Sequence, residues 1–215
     1  MCRLFALKSK NPLDLASHLN HFADICQNSE EDQGDGWGIS YWDEATADWK
    51  LYKSLTPIWE DKASFSLLPE SRLVVAHARS AFGSESIAIE NNQPYLKDRW
   101  SFVFNGTIYQ VKIRIYGQIG AHKIFNLILR NLESDPPVAA ISRAVSLLER
   151  KSESREGINL ILSDREHLYV SCNHWTRAEY FTLRYHTSDD LTIVCSESYP
   201  GCDFLPMSNH QLLVF

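Results

Sequence analysis

Apolar residues in the first half of the chain change between strand-like and helix-like spacing. An apolar strand is predicted at 2–8. The next apolar residues, within 12–27, recur at helical spacing, so a helix is expected to begin at Pro12. A glycine-rich turn leads into a strand over 34–42, with 48–54 as its hairpin partner. The run 71–80 is so apolar that it predicts a strand buried on both faces.

The second half contains two amphipathic segments followed by strands. Residues 99–117 are predicted as further strand, interrupted by the turn-forming dipeptide Asn105-Gly106. The apolar spacing over 120–132 and 136–150 predicts two helices that pack on a sheet. Later strands are predicted at 157–164, 167–173, 178–186, 191–197 and 210–215.

This order of elements predicts an α+β fold. Roughly ten strands and three or four helices, with strands at both ends, bury their apolar faces economically when helices cover two stacked antiparallel sheets. The expected architecture is therefore a four-layer αββα sandwich. The turn-like stretches at 134–137 and 151–157 are too short to mark a domain boundary, so residues 1–215 are interpreted as one domain.

Composition narrows the class of protein. The chain has 215 residues, of which 44% are hydrophobic and 22% charged, and this excludes a disordered chain. A net charge of -6 without a Lys/Arg-rich run argues against a nucleic-acid partner. No stretch approaches the roughly 20 apolar residues of a membrane span. Five cysteines, an odd number without a C-x-x-C pair, are typical of a reduced, cytoplasmic protein.

Cysteine directly follows the initiator methionine. Cys2 is small enough for Met1 to be removed, which would leave a thiol and a free α-amine on one residue. An α-amine has a pKa near ~7.7–8, so it is partly unprotonated at neutral pH and can accept the thiol proton. The alternative is that Cys2 is an ordinary packing thiol.

Three further motifs bear on this choice. They are QGDGWGISYW at 33–42, VAHARSA at 75–81 and NNQPYLKDRWSFVFNGTI at 91–108. With the Met-Cys-Arg start, their order resembles that of the class II glutamine amidotransferases, which are N-terminal-nucleophile (Ntn) amidohydrolases. The resemblance covers about residues 1–125. It implies an Ntn-type sandwich, a glutamine-like amide substrate and no cofactor or metal.

The resemblance implies a role for each matching residue. Cys2 would be the nucleophile, and the Asn105 side-chain amide with the Gly106 backbone N–H would stabilise the oxyanion. Arg79 would bind the substrate carboxylate, and the turn at Gly36 and Trp37 would lie at the substrate beside the nucleophile. Two structural alternatives stay open: an internal ion pair for Arg79, and a tight hairpin turn at Asn105-Gly106.

The chain departs from the family pattern in three places. At 93–95 and at Phe104 an imidazole is lost but bulk is kept, which alters supporting contacts. Gly120 stands at the substrate-binding position where the family has an aspartate for the substrate's α-ammonium. A buried cation without a partner is costly, so free glutamine should bind less well. Either Asp35 or Glu90 substitutes, or the substrate lacks a free α-amine.

The remaining histidines and cysteines are interpreted as structural. His77 lies two residues before Arg79 on one strand and is expected to be a buried, hydrogen-bonded histidine rather than a base. His18 and His21 have metal-ligand spacing without a third ligand, so a solvated helix face is favoured. A helix histidine, His122, is interpreted in the same way. The other thiols are interpreted as packing or incidental thiols: Cys26, Cys172, Cys195 and Cys202.

Three functions are compatible with these observations. The first is a stand-alone amidohydrolase that acts on glutamine or a γ-glutamyl-like compound. The second is a subunit that supplies ammonia to a separate synthetase. The third is a catalytically decayed member of the fold that binds a ligand or a partner, which the loss at Gly120 favours and the retained Cys2 and Arg79 oppose.

Overall fold

A computed structural model describes residues 1–83 and 86–215. Within these residues the helices are α1 (Ala16–Gln27), α2 (Gly120–Leu132), α3 (Pro137–Lys151) and α4 (Ala178–Phe181). The strands are β1 (Arg3–Leu13), β2 (Trp37–Asp43), β3 (Asp48–Ser54), β4 (Ser71–Ala78), β5 (Tyr95–Lys97), β6 (Trp100–Asn105), β7 (Ile108–Tyr109), β8 (Ser154–Arg155), β9 (Asn159–Ser163), β10 (Leu168–Cys172), β11 (Arg184–Thr187), β12 (Leu191–Cys195), β13 (Leu205–Pro206) and β14 (Gln211–Val214).

The strands form two large antiparallel sheets. The first has seven strands in the order β13-β11-β12-β1-β4-β2-β3, and the second has five in the order β14-β10-β9-β6-β5. A small third sheet joins β7 to β8. β1 and β4 lie next to each other at the centre of the first sheet, which explains why both sequences are apolar on both faces.

Three buried clusters show that the layers are stacked as predicted. Between the sheets, Leu4 and Val75 of the first sheet pack in one cluster with Val103 and Ile161 of the second. Phe5, the neighbour of Leu4 along β1, faces the opposite side and packs in a cluster with α1. The third cluster lies between the second sheet and helices α2 and α3. The predicted four-layer arrangement of helix, sheet, sheet and helix is confirmed.

Phe125 of α2 is expected to be among the most sensitive positions of the core. Its ring stacks on Phe102 with centroids 5.0 Å apart and lies 6.4 Å from the Tyr95 ring. It is 2% exposed, so Phe125→Ala should lower the free energy of unfolding by about 3–5 kcal/mol. Denaturant unfolding measures this loss. Phe82→Ala is the control, because Phe82 is 83% exposed, and an equal loss in both variants would contradict the prediction.

The predicted helix start at Pro12 is wrong. β1 continues to Leu13 with an irregular register after Lys8, and α1 begins at Ala16. The reason is local: the Asp14 carboxylate accepts the Ala16 N–H at 3.0 Å, and this turn delays the helix until the chain has left the sheet.

Two predicted strands also differ. Residues 110–119 have no strand partner, because β7 ends at Tyr109 and pairs only with the two residues of β8. Their apolar side chains pack instead on the cluster that contains α2 and α3. The predicted strand 178–186 begins as helix α4, and only Arg184–Thr187 is strand. The left-handed conformation of Arg177 (φ 47°) starts this helical turn.

No helix in residues 1–83 and 86–215 is both long and apolar enough to cross a membrane. Within the same residues no group of three or more histidine, cysteine or acidic side chains could hold a metal ion. His18 instead contacts the Tyr199 hydroxyl at 3.0 Å, and the His21 ring stacks on the Tyr199 ring at 4.8 Å.

Candidate active site

The register of the central strand pair brings the first thiol to the chain that follows β4. Arg3 is opposite Ala78, so one further step along both strands puts Cys2 beside the residues that follow Ala78. The Cys2 Sγ donates to the Ser80 carbonyl at 3.6 Å and accepts the Ser80 N–H at 3.5 Å. Arg3 anchors this end of β1: it is 2% exposed and its Nε donates to Ser29 Oγ at 3.0 Å.

Asn105 meets Cys2 from the other sheet. It is the last residue of β6, and its side chain is 2% exposed. Its Oδ1 accepts the N–H of Cys2 at 3.0 Å. Among the described residues its Nδ2 has no protein acceptor, so this amide group can donate to a bound molecule. The ends of two strands, 103 residues apart in sequence, thus form one corner.

Gly106 lies where the chain leaves the sheet. The hairpin-turn alternative is wrong, because β6 pairs with β5 and β9 while the next strand, β7, pairs with β8. A Cβ at Gly106 would overlap the carbonyl of Gly157 and come within 3.0 Å of the Phe104 ring. Only glycine allows this approach, which orders the backbone directly after Asn105.

Arg79 is buried but forms no ion pair with any residue of 1–83 or 86–215. It is 4% exposed. Its Nη1 donates to Asn92 Oδ1 at 3.2 Å, and its Nη2 donates to the Ser86 carbonyl at 2.8 Å. The internal ion pair weighed for it is therefore not found in the described part of the chain. A buried guanidinium whose described partners are neutral is suited to bind an anion.

Arg79→Lys is expected to raise the KM for a carboxylate-bearing amide about 10- to 100-fold and to change kcat less. A charged hydrogen bond is worth about 1.5–3 kcal/mol, and lysine cannot keep the planar fork. Steady-state kinetics measures the split. Arg72→Lys is the matched control, because Arg72 lies on the same strand and pairs with Glu44 on the surface. An unchanged KM in Arg79→Lys would contradict a carboxylate contact.

Gly36 and Trp37 support the site without lining it. The Gly36 carbonyl accepts the Arg79 N–H at 2.9 Å, and its φ of 99° favours glycine. Trp37 is fully buried, and its Nε1 donates to Asp61 at 2.8 Å. The prediction that these two residues contact substrate is corrected, because the structure turns the Trp37 ring into the core below α1.

The two acids considered as substitutes for the missing aspartate also lie off the cavity wall. Asp35 Oδ2 accepts the Ala81 N–H at 2.6 Å, so its carboxylate fixes the loop after β4. Glu90 lies close enough to Lys53 to raise the pKa of that lysine, while burial lowers it more, to about 8. Gly120, in contrast, does line the cavity, at the first residue of α2.

Gln93 holds the strand that carries Asn105. Its Oε1 accepts the Phe104 N–H at 2.6 Å, and its Nε2 donates to the Phe104 carbonyl at 3.1 Å. The same Nε2 lies 3.1 Å from His77 Nε2. Burial lowers the pKa of His77 to about 3, so the imidazole is neutral and a weak base. This geometry agrees with a structural role for His77.

A group of polar side chains surrounds the N-terminus and was missed from sequence. The Met1 amine lies 3.3 Å from Glu31 Oε2. The Met1 carbonyl accepts Gln33 Nε2 at 2.7 Å and the Tyr180 hydroxyl at 2.5 Å. No sequence signal identifies Tyr180, which lies 179 positions from Met1 and reaches it only because α4 interrupts the predicted strand.

Burial and charge act in opposite directions on the Cys2 thiol. Burial raises the pKa of Cys2 above its ordinary value. The Ser80 N–H, the terminal ammonium and the Arg79 guanidinium lower it, but less than burial raises it. A thiol in this setting needs a neighbouring base to give up its proton. The other cysteines are free, and burial also raises the pKa of Cys26 and Cys195, which lie in the core.

Most of the predicted site residues line one cavity of about 670 Å³. Cys2, Arg79, Asn105, Gly106 and Gly120 all line it. The volume is suitable for a small molecule. The cavity lining therefore includes a thiol, an amide donor and a guanidinium, which are the groups needed for attack on an amide carbonyl of an anionic substrate.

The comparisons with known proteins agree with this geometry. The family model described as glutamine amidotransferases class-II matches residues 1–195. No curated protein matches the chain. A glutamine aminotransferase class-II domain protein from Silicibacter pomeroyi is similar in structure, with a TM-score of 0.68 and 18% identity, over 99% of this chain and 94% of that one.

Two further structures are similar. A predicted glutamine amidotransferase from Pseudomonas aeruginosa matches with a TM-score of 0.59 and 15% identity, over 100% of this chain and 97% of that one. The glutamine phosphoribosylpyrophosphate amidotransferase of B. subtilis matches with a TM-score of 0.71 and 15% identity, over 99% of this chain but 47% of that one. At these identities the likeness shows the fold, which is of the Ntn type. Because the family match covers most of its length, the chain belongs to the class II glutamine amidotransferase family.

Proposed function

We propose that this protein is a cysteine-dependent amidohydrolase that cleaves the side-chain amide of glutamine or of a γ-glutamyl-like compound. One observation carries the proposal: the nitrogen of Cys2 lies 3.0 Å from Asn105 Oδ1, on the wall of a cavity that Arg79 also lines. Removal of Met1 converts that nitrogen into an α-amine next to the thiol, which supplies the base that the buried thiol needs.

The proposed reaction has two halves. The Cys2 amine accepts the thiol proton, and the sulfur bonds to the amide carbon. Asn105 Nδ2 and the Gly106 N–H stabilise the oxyanion. The C–N bond then breaks, and the ammonium formed on Cys2 returns its proton to the departing ammonia or amine. Water attacks the resulting thioester with the amine as base, the C–S bond breaks, and a carboxylate and the free thiol are formed.

Tyr180, Gln33 and Glu31 support the requirement for trimming. In the untrimmed chain all three are occupied by Met1, which itself lines the cavity. Loss of Met1 opens space at the thiol and removes one partner from each of these three side chains. Glu31 keeps Arg177, Gln33 keeps the Glu31 carbonyl, and Tyr180 keeps the Cys2 carbonyl. The Asn105 Oδ1 that already accepts the Cys2 N–H would then orient the amine.

The test is labelling combined with a substrate screen. Intact mass measures the fraction of chains that lack Met1. The glutamine-mimicking electrophile 6-diazo-5-oxo-norleucine should add once, at Cys2, in trimmed chains alone. Glutamine, asparagine and γ-glutamyl amides are then screened for release of ammonia or amine. Retention of Met1 in all chains, or release of ammonia or amine by trimmed Cys2→Ala at the rate of the parent, would contradict the proposal.

A second candidate is a subunit that supplies ammonia to a separate synthetase. The observation in its favour is that this chain matches 47% of the B. subtilis phosphoribosylpyrophosphate amidotransferase, so the same fold is found as one part of a longer enzyme. Glutamine hydrolysis that rises when a synthetase co-purifies would favour this candidate. Ligand binding without Cys2-dependent turnover would favour a decayed member of the fold.

A further inference from the structure

Several apolar side chains line the cavity together with the thiol, and we call them the apolar wall. These side chains come from the segment after β6, from α2 and from α3. They are Ile108, Val111, Ile115, Ile119, Ile124 and Leu148. The segment 110–119 forms no strand, and three of its apolar side chains line the cavity instead. A wall of this kind stabilises an apolar group by removing it from water.

Both carboxylates that line the cavity among residues 1–83 and 86–215 have protein hydrogen-bond partners. Within the described residues two acids line the cavity, Glu31 and Glu156. Glu31 Oε1 accepts Arg177 Nη1 at 2.6 Å, and this hydrogen bond lowers the pKa of Glu31. Glu156 Oε1 accepts the Tyr109 hydroxyl at 2.9 Å. A ligand ammonium could take the place of the Met1 amine at Glu31 Oε2, but it would share this carboxylate with the Arg177 guanidinium.

The start of α2 disfavours a cation. Gly120 is the first residue of this 13-residue helix, whose first turn has no side-chain cap and no acidic residue. Lys123, in the same turn, lines the cavity. The unpaired N–H groups and the helix dipole make this end positive, so a substrate ammonium placed here would be repelled.

Space is present at the same point. A Cβ built on Gly120 would have no atom within 4 Å. Gly120 is exposed and lines the cavity, so a substituent larger than hydrogen can lie beside the start of α2 without overlapping a side chain. Arg79, which also lines the cavity, remains the group for an anion.

These observations combine to specify a substrate class, and the inference rests on the function proposed above. We propose that the substrate is the ω-amide of a dicarboxylic acid that has a neutral, apolar substituent where glutamine has its ammonium, as in an N-acylglutamine. Arg79 binds the carboxylate, Cys2 attacks the amide carbon, and the acyl substituent lies along the apolar wall beside Gly120.

Binding is measured first on trimmed Cys2→Ala, so that the result does not depend on turnover. Calorimetry compares glutamine, N-acetylglutamine and N-hexanoylglutamine. We expect N-hexanoylglutamine to bind at least tenfold more tightly than glutamine, and affinity to rise with acyl length by up to roughly fourfold per methylene group. Equal or tighter binding of free glutamine, or affinity that does not depend on acyl length, would overturn the inference.

Gly120→Asp reverses the preference in a second test. The new carboxylate should pair with the ammonium of glutamine, so the ratio of kcat/KM for N-hexanoylglutamine over glutamine should fall at least tenfold. Ala139→Asp is the matched control, because it puts an aspartate into the exposed first turn of α3, away from the cavity. An equal fall in both variants, or none in Gly120→Asp, would contradict the assignment.

Failure of the inference and failure of the proposed function give different results. If glutamine is hydrolysed best and Glu31→Gln abolishes its binding, Glu31 holds the ammonium: the inference is wrong and the amidohydrolase stands. If the N-acyl amides bind in order of acyl length but no ammonia or amine is released in a Cys2-dependent way, these compounds are ligands and the hydrolytic function is wrong.

Discussion

Cys2→Ala is expected to lower kcat for amide hydrolysis by at least about 10³-fold, because the variant retains the amine but has no atom that can bond to the amide carbon. The free energy of unfolding should change by less than about 1 kcal/mol, because the side chain is small and partly exposed. Release of ammonia or amine and denaturant unfolding measure the two effects.

The control for this variant is Cys202→Ala. Cys202 is also a partly exposed free cysteine, and it does not line the cavity. The Cys202→Ala variant should keep full activity and should still take up the electrophilic label at Cys2. Hydrolysis by Cys2→Ala at the rate of the parent would show that another group attacks the amide, and the mechanism built on the trimmed terminus would have to be abandoned.

Asn105→Ala is expected to lower kcat by about 10²–10³-fold with a smaller effect on KM. Loss of one oxyanion donor has a cost of this size. The same substitution removes the acceptor that lies 3.0 Å from the Cys2 nitrogen, so the amine also loses its orientation. The loss should therefore be at the upper end of the range or beyond it.

Asn105→Asp separates the two contributions. It keeps an acceptor for the amine but supplies no donor to the oxyanion, and its charge raises the pKa of the nearby thiol. We expect a loss in kcat of similar size and an activity profile moved to higher pH. If Asn105→Asp had parent-like kcat, the amide of Asn105 would have no role in stabilising the oxyanion.

Sequence motifs predicted the residues of the proposed catalytic site better than they predicted the other residues that line the cavity. Cys2, Asn105, Gly106 and Arg79 all reach the same cavity, because each lies at the end of a strand whose apolar pattern is clear. Trp37 has the same kind of motif support, yet it points into the core. A motif fixes the order of residues along the chain, but it does not fix which side of the turn a side chain occupies.

The irregular parts of the fold could not be predicted in the same way. The alternating apolar residues of 110–117 are typical of a strand, but a strand needs a neighbour, and β7 pairs with β8 only at residues 108 and 109. The turn at α4 likewise depends on the contacts that Tyr180 makes with the N-terminus, 178 or more residues away. Local patterns carry no information about such long-range partners.

The sequence by itself determined the two-sheet sandwich and the identities of the thiol, amide and guanidinium, since periodicity and motif order are properties of the chain. Only the tertiary structure decided that Met1 contacts Glu31, Gln33 and Tyr180, that Gly120 lines the cavity, and that apolar side chains from several segments line it as well. These features arise where the ends of β1, β6 and α2 meet, and their distances depend on the packing of the layers.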